Sequence, residues 1–235
     1  MNLRNKVAVV TGASSGLGWE FARHLVNHGS RVYGLARRLD RLESLESEIG
    51  SEFRPVECDV SDEVSVREAF SGLDRVDILI NNAGLGRFAA VEEQSKEDWD
   101  VQIDTNLTGV YLCTRAVIPL MKEQNRQTGF GGHIIHIASV AGLVGNANLS
   151  AYNATKFGLR GFSEALMKEL RGDGIKVTSV CPGSVATEFG SVAGSPGASN
   201  PMQSEDIAST VIHILQAPDN YLISEVVMRP LRPRG

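Results

Sequence analysis

Tyr152 and Lys156 stand four positions apart in the stretch SAYNATKFG, residues 150–158. At helical spacing such a pair shares one face, with Cβ atoms roughly 6 Å apart. A phenol beside an ammonium can move a proton. Tyrosine titrates near pKa ~10, so service as a general acid near neutrality needs that value lowered by roughly 3, about 4 kcal/mol in favour of the phenolate. One positive charge at ~4 Å supplies about that much in an effective dielectric of about 20. Lys156 is spaced to supply it, although the same pair alone also fits a solvated helix face. The surrounding elements decide between the two.

Short β-branched runs alternate with longer amphipathic segments along the chain, the pattern of repeated βαβ units. The runs predict strands at 6–11, 31–36, 53–58, 76–80, 133–138, 175–181 and 221–228. Helices are expected near 15–27, 39–48, 62–71, 96–122, 150–170 and 204–216, with Pro119 kinking or shortening the fourth. Ser61 and Ser204, each followed by acidic residues, are expected to cap the helices they precede. The result is an α/β fold with one doubly wound, mostly parallel sheet, and a single domain over 1–235. The small-residue run GSVAGSPGASNP, 190–201, follows a strand end and is a candidate lid.

The first strand runs into TGASSGLG, where Gly12, Gly16 and Gly18 are spaced GxxxGxG at a strand-to-helix turn. Such a turn admits a pyrophosphate against the backbone and aims a helix N-terminus at its charge. Ser14, Ser15 and Leu17 complete it. The second strand ends in Ala36, Arg37 and Arg38, where an NAD-binding chain would place a carboxylate for the ribose 2′-hydroxyl. Guanidinium groups there suit a 2′-phosphate, which favours NADP(H) over NAD(H). Asp40 is the nearby acid that would serve an NAD reading.

A formal net charge of -5, with 42% hydrophobic and 22% charged residues, argues against a nucleic-acid or anionic-membrane partner. The N-terminal apolar run is too short for a signal peptide or membrane span, so a cytoplasmic location is expected. Cys58, Cys113 and Cys181 are scattered without CxxC spacing and read as reduced, buried thiols. His24 and His28 read as surface residues, His133 and His136 as flanking a strand, and no metal site is expected.

The glycine spacing, NNAG at 81–84, Ser139 after the fifth strand and the Tyr152/Lys156 spacing together resemble the short-chain dehydrogenase/reductase family, in its single-domain TGxxxGxG branch. The resemblance covers essentially the whole chain and implies a Rossmann-like seven-stranded parallel sheet in the order 3-2-1-4-5-6-7. It implies Asn106, Ser139, Tyr152 and Lys156 as the catalytic set, with Asn106 holding a relay water. Asp59 and Val60 would border the adenine, and Asn81, Asn82, Ala83 and Gly84 would line the cofactor and steady the sheet. Pro182, Gly183, Val185 and Thr187 would support the nicotinamide. The implied activity is NADP(H)-dependent interconversion of a small-molecule carbonyl and its alcohol. A homodimer or homotetramer would form through the helices at 105–122 and 150–170.

Two other readings are a catalytically silent dinucleotide-binding regulator or scaffold, and a nucleotide-sugar epimerase, which would need a second domain. Val140, Asn146, Ala147, Ser184 and the 190–201 run are the expected substrate determinants. The C-terminus, YLISEVVMRPLRPRG, departs from the VDGG-like ending of fatty-acid-type oxoacyl reductases.

Overall fold

The computed structural model describes residues 1–194 and 200–231. Its strands are Val7–Thr11 (β1), Arg31–Ala36 (β2), Phe53–Glu57 (β3), Ile78–Asn81 (β4), Gly132–Ile137 (β5), Ile175–Pro182 (β6) and Glu225–Met228 (β7). They form one sheet in the order β3-β2-β1-β4-β5-β6-β7, every neighbouring pair parallel. Each residue of β4, β5 and β6 is buried, as a parallel strand covered on both faces requires. The winding reverses between β1 and β4, which opens a crevice above their C-terminal ends.

Alternation along the strands supplies two cores. On one face Val10, Ile80, Ile135 and Val180 pack with Phe21 and Leu25 of α1 (Gly16–Asn27), Leu42 and Leu45 of α2 (Leu39–Ile49), and Val211 of α8 (Ser204–Gln216). On the other, Val9, Leu79, Ile134 and Val177 meet Phe70 of α3 (Glu63–Phe70), Met121 of α5 (Gly109–Thr128) and Leu166 of α6 (Ser150–Leu170). Burying one such aliphatic or aromatic side chain contributes roughly 1.5–3 kcal/mol.

Several local expectations are corrected. The segment predicted as one helix at 96–122 is α4 (Lys96–Ile103), a π turn at Asp104–Thr108, and α5. The helix passes Pro119 and runs to Thr128, closing on Gly129 at φ 79°. Pro119 lies on the exposed face, where the carbonyl it leaves unpaired can take water. The π turn rotates Asn106 into the interior, fully buried.

Asp62, rather than Ser61, caps α3, because its carboxylate accepts from the Val64 amide. A reciprocal Gln203/Asp206 box, rather than Ser204, caps α8. Strand β7 starts at Glu225 instead of 221, because the carbonyls of Tyr221 and Ile223 accept from the side chains of Lys176 and Thr178. None of the described helices is long and apolar enough to cross a membrane.

His133 and His136 lie inside β5, wholly buried, rather than flanking it. Thr178 donates to the Ile223 carbonyl, so it accepts from His133 Nε2 at 2.7 Å, and that imidazole carries its proton on Nε2. Ser163 donates to the Leu159 carbonyl and accepts from His136 Nδ1 at 2.7 Å, which leaves His136 Nε2 as acceptor for Thr114. Burial holds both imidazoles down at about 3. The unfolded chain therefore binds more protons below its ordinary histidine value, and stability falls as pH drops from about 6.5 toward 3, by roughly 1.4 kcal/mol per pH unit per histidine. Urea midpoints measured from pH 7 to pH 4 are expected to fall steadily, and less steeply in His136→Asn.

Candidate active site

Strand β5 ends at Ile137, and the chain stays extended through Ser139 before a 3₁₀ turn at Val140–Gly142. Ser139 Oγ accepts from the Ala141 amide at 3.1 Å and stands 3.5 Å from the Pro182 carbonyl at the end of β6. Tyr152 occupies the first turn of α6 and Lys156 the next, both buried, at 8% and 5% exposure. Lys156 Nζ donates to the Ile137 carbonyl at 2.9 Å and lies 5.6 Å from the centre of the Tyr152 ring. One β5 terminus thus positions the serine and receives the ammonium.

Burial pushes the Tyr152 phenol up to about 12, against a downward pull from its hydrogen bond with Ser139. Burial pushes Lys156 down to about 8. The sequence predicts the opposite direction for the tyrosine, from a lysine charge beside an otherwise ordinary phenol. Taking a phenolate out of water costs more than the Ser139 contact returns, and Lys156 is directed at a backbone carbonyl.

Neighbouring contacts fix this geometry. Asn153 accepts from the Asn146 amide at 3.0 Å and donates to the Ala141 and Val144 carbonyls at 2.5 and 2.9 Å, which holds the loop before α6. Asn106 Oδ1 accepts from Leu85 N at 2.8 Å, while Nδ2 donates to the Leu85 carbonyl at 2.8 Å and approaches Thr155 Oγ1 at 3.3 Å. Its side chain therefore grips the segment after NNAG. A Cβ built on Gly84 would stand 3.3 Å from Asn106 Oδ1 and 3.7 Å from Lys156 Nζ, so all three residues adjoin.

The glycine turn sits at the neighbouring strand end. Gly12 adopts φ +67°, and a Cβ on Gly18 would lie 2.2 Å from the Gly12 carbonyl oxygen. Asn82 Nδ2 donates to the carbonyls of Thr11 and Gly12, and Thr11 Oγ1 accepts from the amides of Asn82 and Ala83 at 3.0 Å each. Asn81 is turned inward onto Thr114 at 3.0 Å. Helix α1 begins after Ser15 with no side-chain cap, leaving its first amides open to an anion.

Arg38 donates to the hydroxyls of Ser14 and Ser15 at 2.9 Å, and its Nη1 lies 4.0 Å from Glu188. Arg37 points elsewhere, 3.8 Å from Asp59, whose carboxylate also accepts from Ser61. A cleft of about 490 Å³ is lined by Ser14, Ser15, Gly16, Trp19, Arg41 and Thr187, among others. A cradle of uncapped amides, close-packed glycines and a guanidinium fits a phosphorylated dinucleotide.

The remaining expected residues border these two groups or support them. Thr187 faces Gly16, whose Cβ would meet its Cγ2 at 3.2 Å. Pro182 closes β6, Gly183 N donates to the Met228 carbonyl at 2.8 Å, and Val185 bridges to Met202. Leu17, in the first turn of α1, packs against the core, and Val60 lies against Gly109. Sequence reasoning assigned no role to Thr11 and Asn153, each inside a stretch it quoted, or to Leu85. It also missed Phe88 and Phe189, whose positions only tertiary packing reveals.

A short helix α7 (Phe189–Ala193) follows β6 and brings Phe189 against Tyr152. Phe88 N donates to the Ala193 carbonyl at 3.3 Å. The Phe88 and Phe189 rings lie 5.5 and 5.6 Å from that of Tyr152. Of the 190–201 run expected to act as a lid, 195–199 lie outside the described residues.

The fold agrees with what the chain is similar to. The short chain dehydrogenase profile matches residues 6–195. A serine 3-dehydrogenase of Rhizobium radiobacter is 36% identical over 237 aligned residues, covering 95% of this chain and 93% of its own. Among solved structures, the closed form of a serine dehydrogenase complexed with NADP+ superposes with TM-score 0.86 at 33% identity, covering 94% of each chain. A 3-ketoacyl-(acyl-carrier-protein) reductase from Brucella melitensis complexed with NADH gives 0.89 at 29% identity, covering 97% of this chain and 98% of its own. The chain belongs to the short-chain dehydrogenase family of oxidoreductases.

Asn106→Ala would leave the Leu85 amide and carbonyl without their partner in a half-buried setting. A loss of about 1–3 kcal/mol in denaturant unfolding is the expected result. Asn106→Asp, which sets a carboxylate oxygen against the Leu85 carbonyl in a buried position, is expected to lose at least as much.

Proposed function

We propose that the protein is an NADP(H)-dependent oxidoreductase that interconverts a small-molecule carbonyl and its alcohol, within one catalytic domain. The observation that carries this reading is the meeting of Ser139, Tyr152 and Lys156 at the strand ends, beside a phosphate-compatible turn. The bound dinucleotide would supply or accept the hydride, as a nicotinamide does. The protein's own residues handle the oxygen and its proton.

Ser139 donates a hydrogen bond to the carbonyl oxygen and stabilises the charge that develops on it. Tyr152 then delivers its proton to that oxygen. A phenol held protonated up to about 12 is in the donor state throughout the neutral range. Lys156, while charged, stabilises the phenolate that remains. Its value of about 8 sets the upper edge: as pH rises through that value the ammonium is lost, and reduction slows. The wild-type kcat/KM for carbonyl reduction is expected to fall above about pH 8, a limb absent in Lys156→Met, whose rate is low throughout. Tyr152→Phe is expected to cut turnover by at least about 10³-fold while NADPH binding, read by fluorescence, stays within about twofold. Retained turnover would remove Tyr152 from the donor role.

For the 2′-phosphate, Arg38 is better placed than Arg37, since its guanidinium lies on the Ser14 and Ser15 hydroxyls of the turn. Arg38→Ala is expected to weaken NADPH at least about tenfold and NADH by less than about twofold. Equal losses would contradict the NADP preference. A homodimer or homotetramer through α5 and α6 is supported by the exposed rings of Tyr111 and Phe157 and by the groove that Tyr111 borders with Leu107, Gly158 and Phe162. Three unpaired buried thiols suit a reducing compartment such as the cytoplasm.

A further inference from the structure

We propose that Phe88 and Phe189 select the substrate, and that the preferred carbonyl carries an uncharged, apolar or aromatic group beside it rather than a carboxylate. This rests on the oxidoreductase reading above and names its substrate class. The two rings come from different parts of the chain, one from the segment after β4 and one from the start of α7. Each packs on the Tyr152 ring, edge-on at 5.5 Å and tilted at 5.6 Å, and they lie 6.4 Å from each other. Because both rings pack directly on Tyr152, a carbonyl bound at its hydroxyl is inferred to lay one substituent along them.

The wall is built rather than incidental. The Phe88 amide bonds the Ala193 carbonyl, and Arg87 Nη1 donates to the Val192 carbonyl at 3.3 Å, so the segment holding one ring is bonded to the helix holding the other. A Cβ on Gly86 would stand 2.7 Å from the Phe88 ring and 3.1 Å from Ala193 Cβ, so the backbone closes there without a side chain. Ser139 acts on the Tyr152 hydroxyl and Lys156 lies over its ring, and the proposed reaction uses both. Arg87, the cation nearest in sequence to the wall, has its Nε 3.6 Å from Asp98 and its Nη1 on the Val192 carbonyl. A carboxylate placed against two phenyl rings would lose its water, and neither ring can return a hydrogen bond. An aryl or alkyl group there loses water favourably.

The test uses three 3-oxo compounds with NADPH: ethyl benzoylacetate, ethyl acetoacetate and the acetoacetate anion. The expected order of kcat/KM is aryl ester, alkyl ester, anion, with the neutral esters at least about tenfold ahead of the anion. Phe88→Ala and Phe189→Ala, checked as folded by an unchanged melting profile, are expected to shrink the aryl-to-anion ratio at least about tenfold, mainly through KM. Phe88→Leu, which keeps an apolar wall, is expected to retain the preference of ester over anion.

Preference for acetoacetate, or for L-serine in the oxidative direction with NADP+, abolished by Arg87→Ala, would overturn the inference and assign Arg87 as a carboxylate partner. Equal loss on all three compounds in both alanine variants would also overturn it, by making the rings structural only. If a wider carbonyl panel is reduced with NADPH but none of these esters is, the inference fails while the oxidoreductase reading stands. If no carbonyl is reduced although NADPH binds, the reading itself fails.

Discussion

A phenol and an ammonium buried one helical turn apart form the constraint on which the rest of the structure depends. Neither group gains from leaving water: burial raises Tyr152 to about 12 and lowers Lys156 to about 8. The pair is tolerable because each keeps a polar contact, Tyr152 with Ser139 and Lys156 with the Ile137 carbonyl at the end of β5. That carbonyl is available because the strand stops there. Reactive groups and strand terminus are therefore one local design, and α6 must dock on β5 in a single register to make it.

The neighbouring elements hold that register from three sides. Asn153 anchors the loop ahead of α6, and Asn106, turned inward by the π turn, anchors the segment after β4. Behind the pair runs a directional chain of hydrogen bonds, from Asn81 to Thr114 to His136 Nε2, and from His136 Nδ1 to Ser163 and the Leu159 carbonyl. Its direction requires a neutral imidazole, which burial enforces. The chain joins β4, α5, β5 and α6, the elements that carry or adjoin NNAG, Asn106, Ser139 and the Tyr152/Lys156 pair. Thr11 makes the corresponding link between the glycine turn and Asn82.

The seven strands were legible because each depends on a local run of apolar residues, whereas their order came from the family resemblance that the short spacings at 12–18, 81–84 and 152–156 carry. What escaped sequence reasoning depends on burial or on contacts distant along the chain. Tyr152 titrates opposite to the expected direction because spacing shows Lys156 but not the loss of water around both. His133 and His136 read as flanking residues because their hydroxyl partners, Thr178 and Ser163, lie 45 and 27 positions away. Pro119 reads as a breaker because its exposed setting is a property of the packed helix. Phe88 and Phe189 are 101 positions apart, and nothing local marks them as two sides of one wall around Tyr152.

We propose that burial keeps the Tyr152 phenol protonated until the positive nicotinamide of NADP+ binds beside it. The most direct measurement is the titration of that phenol by ultraviolet difference absorbance, wild type against Tyr152→Phe, with and without saturating NADP+. Without the dinucleotide the Tyr152 signal is expected to stay protonated well above the ordinary tyrosine value, and with NADP+ its midpoint is expected to move down. A midpoint at or below about 10 in the free protein, or one that NADP+ leaves unmoved, would contradict it.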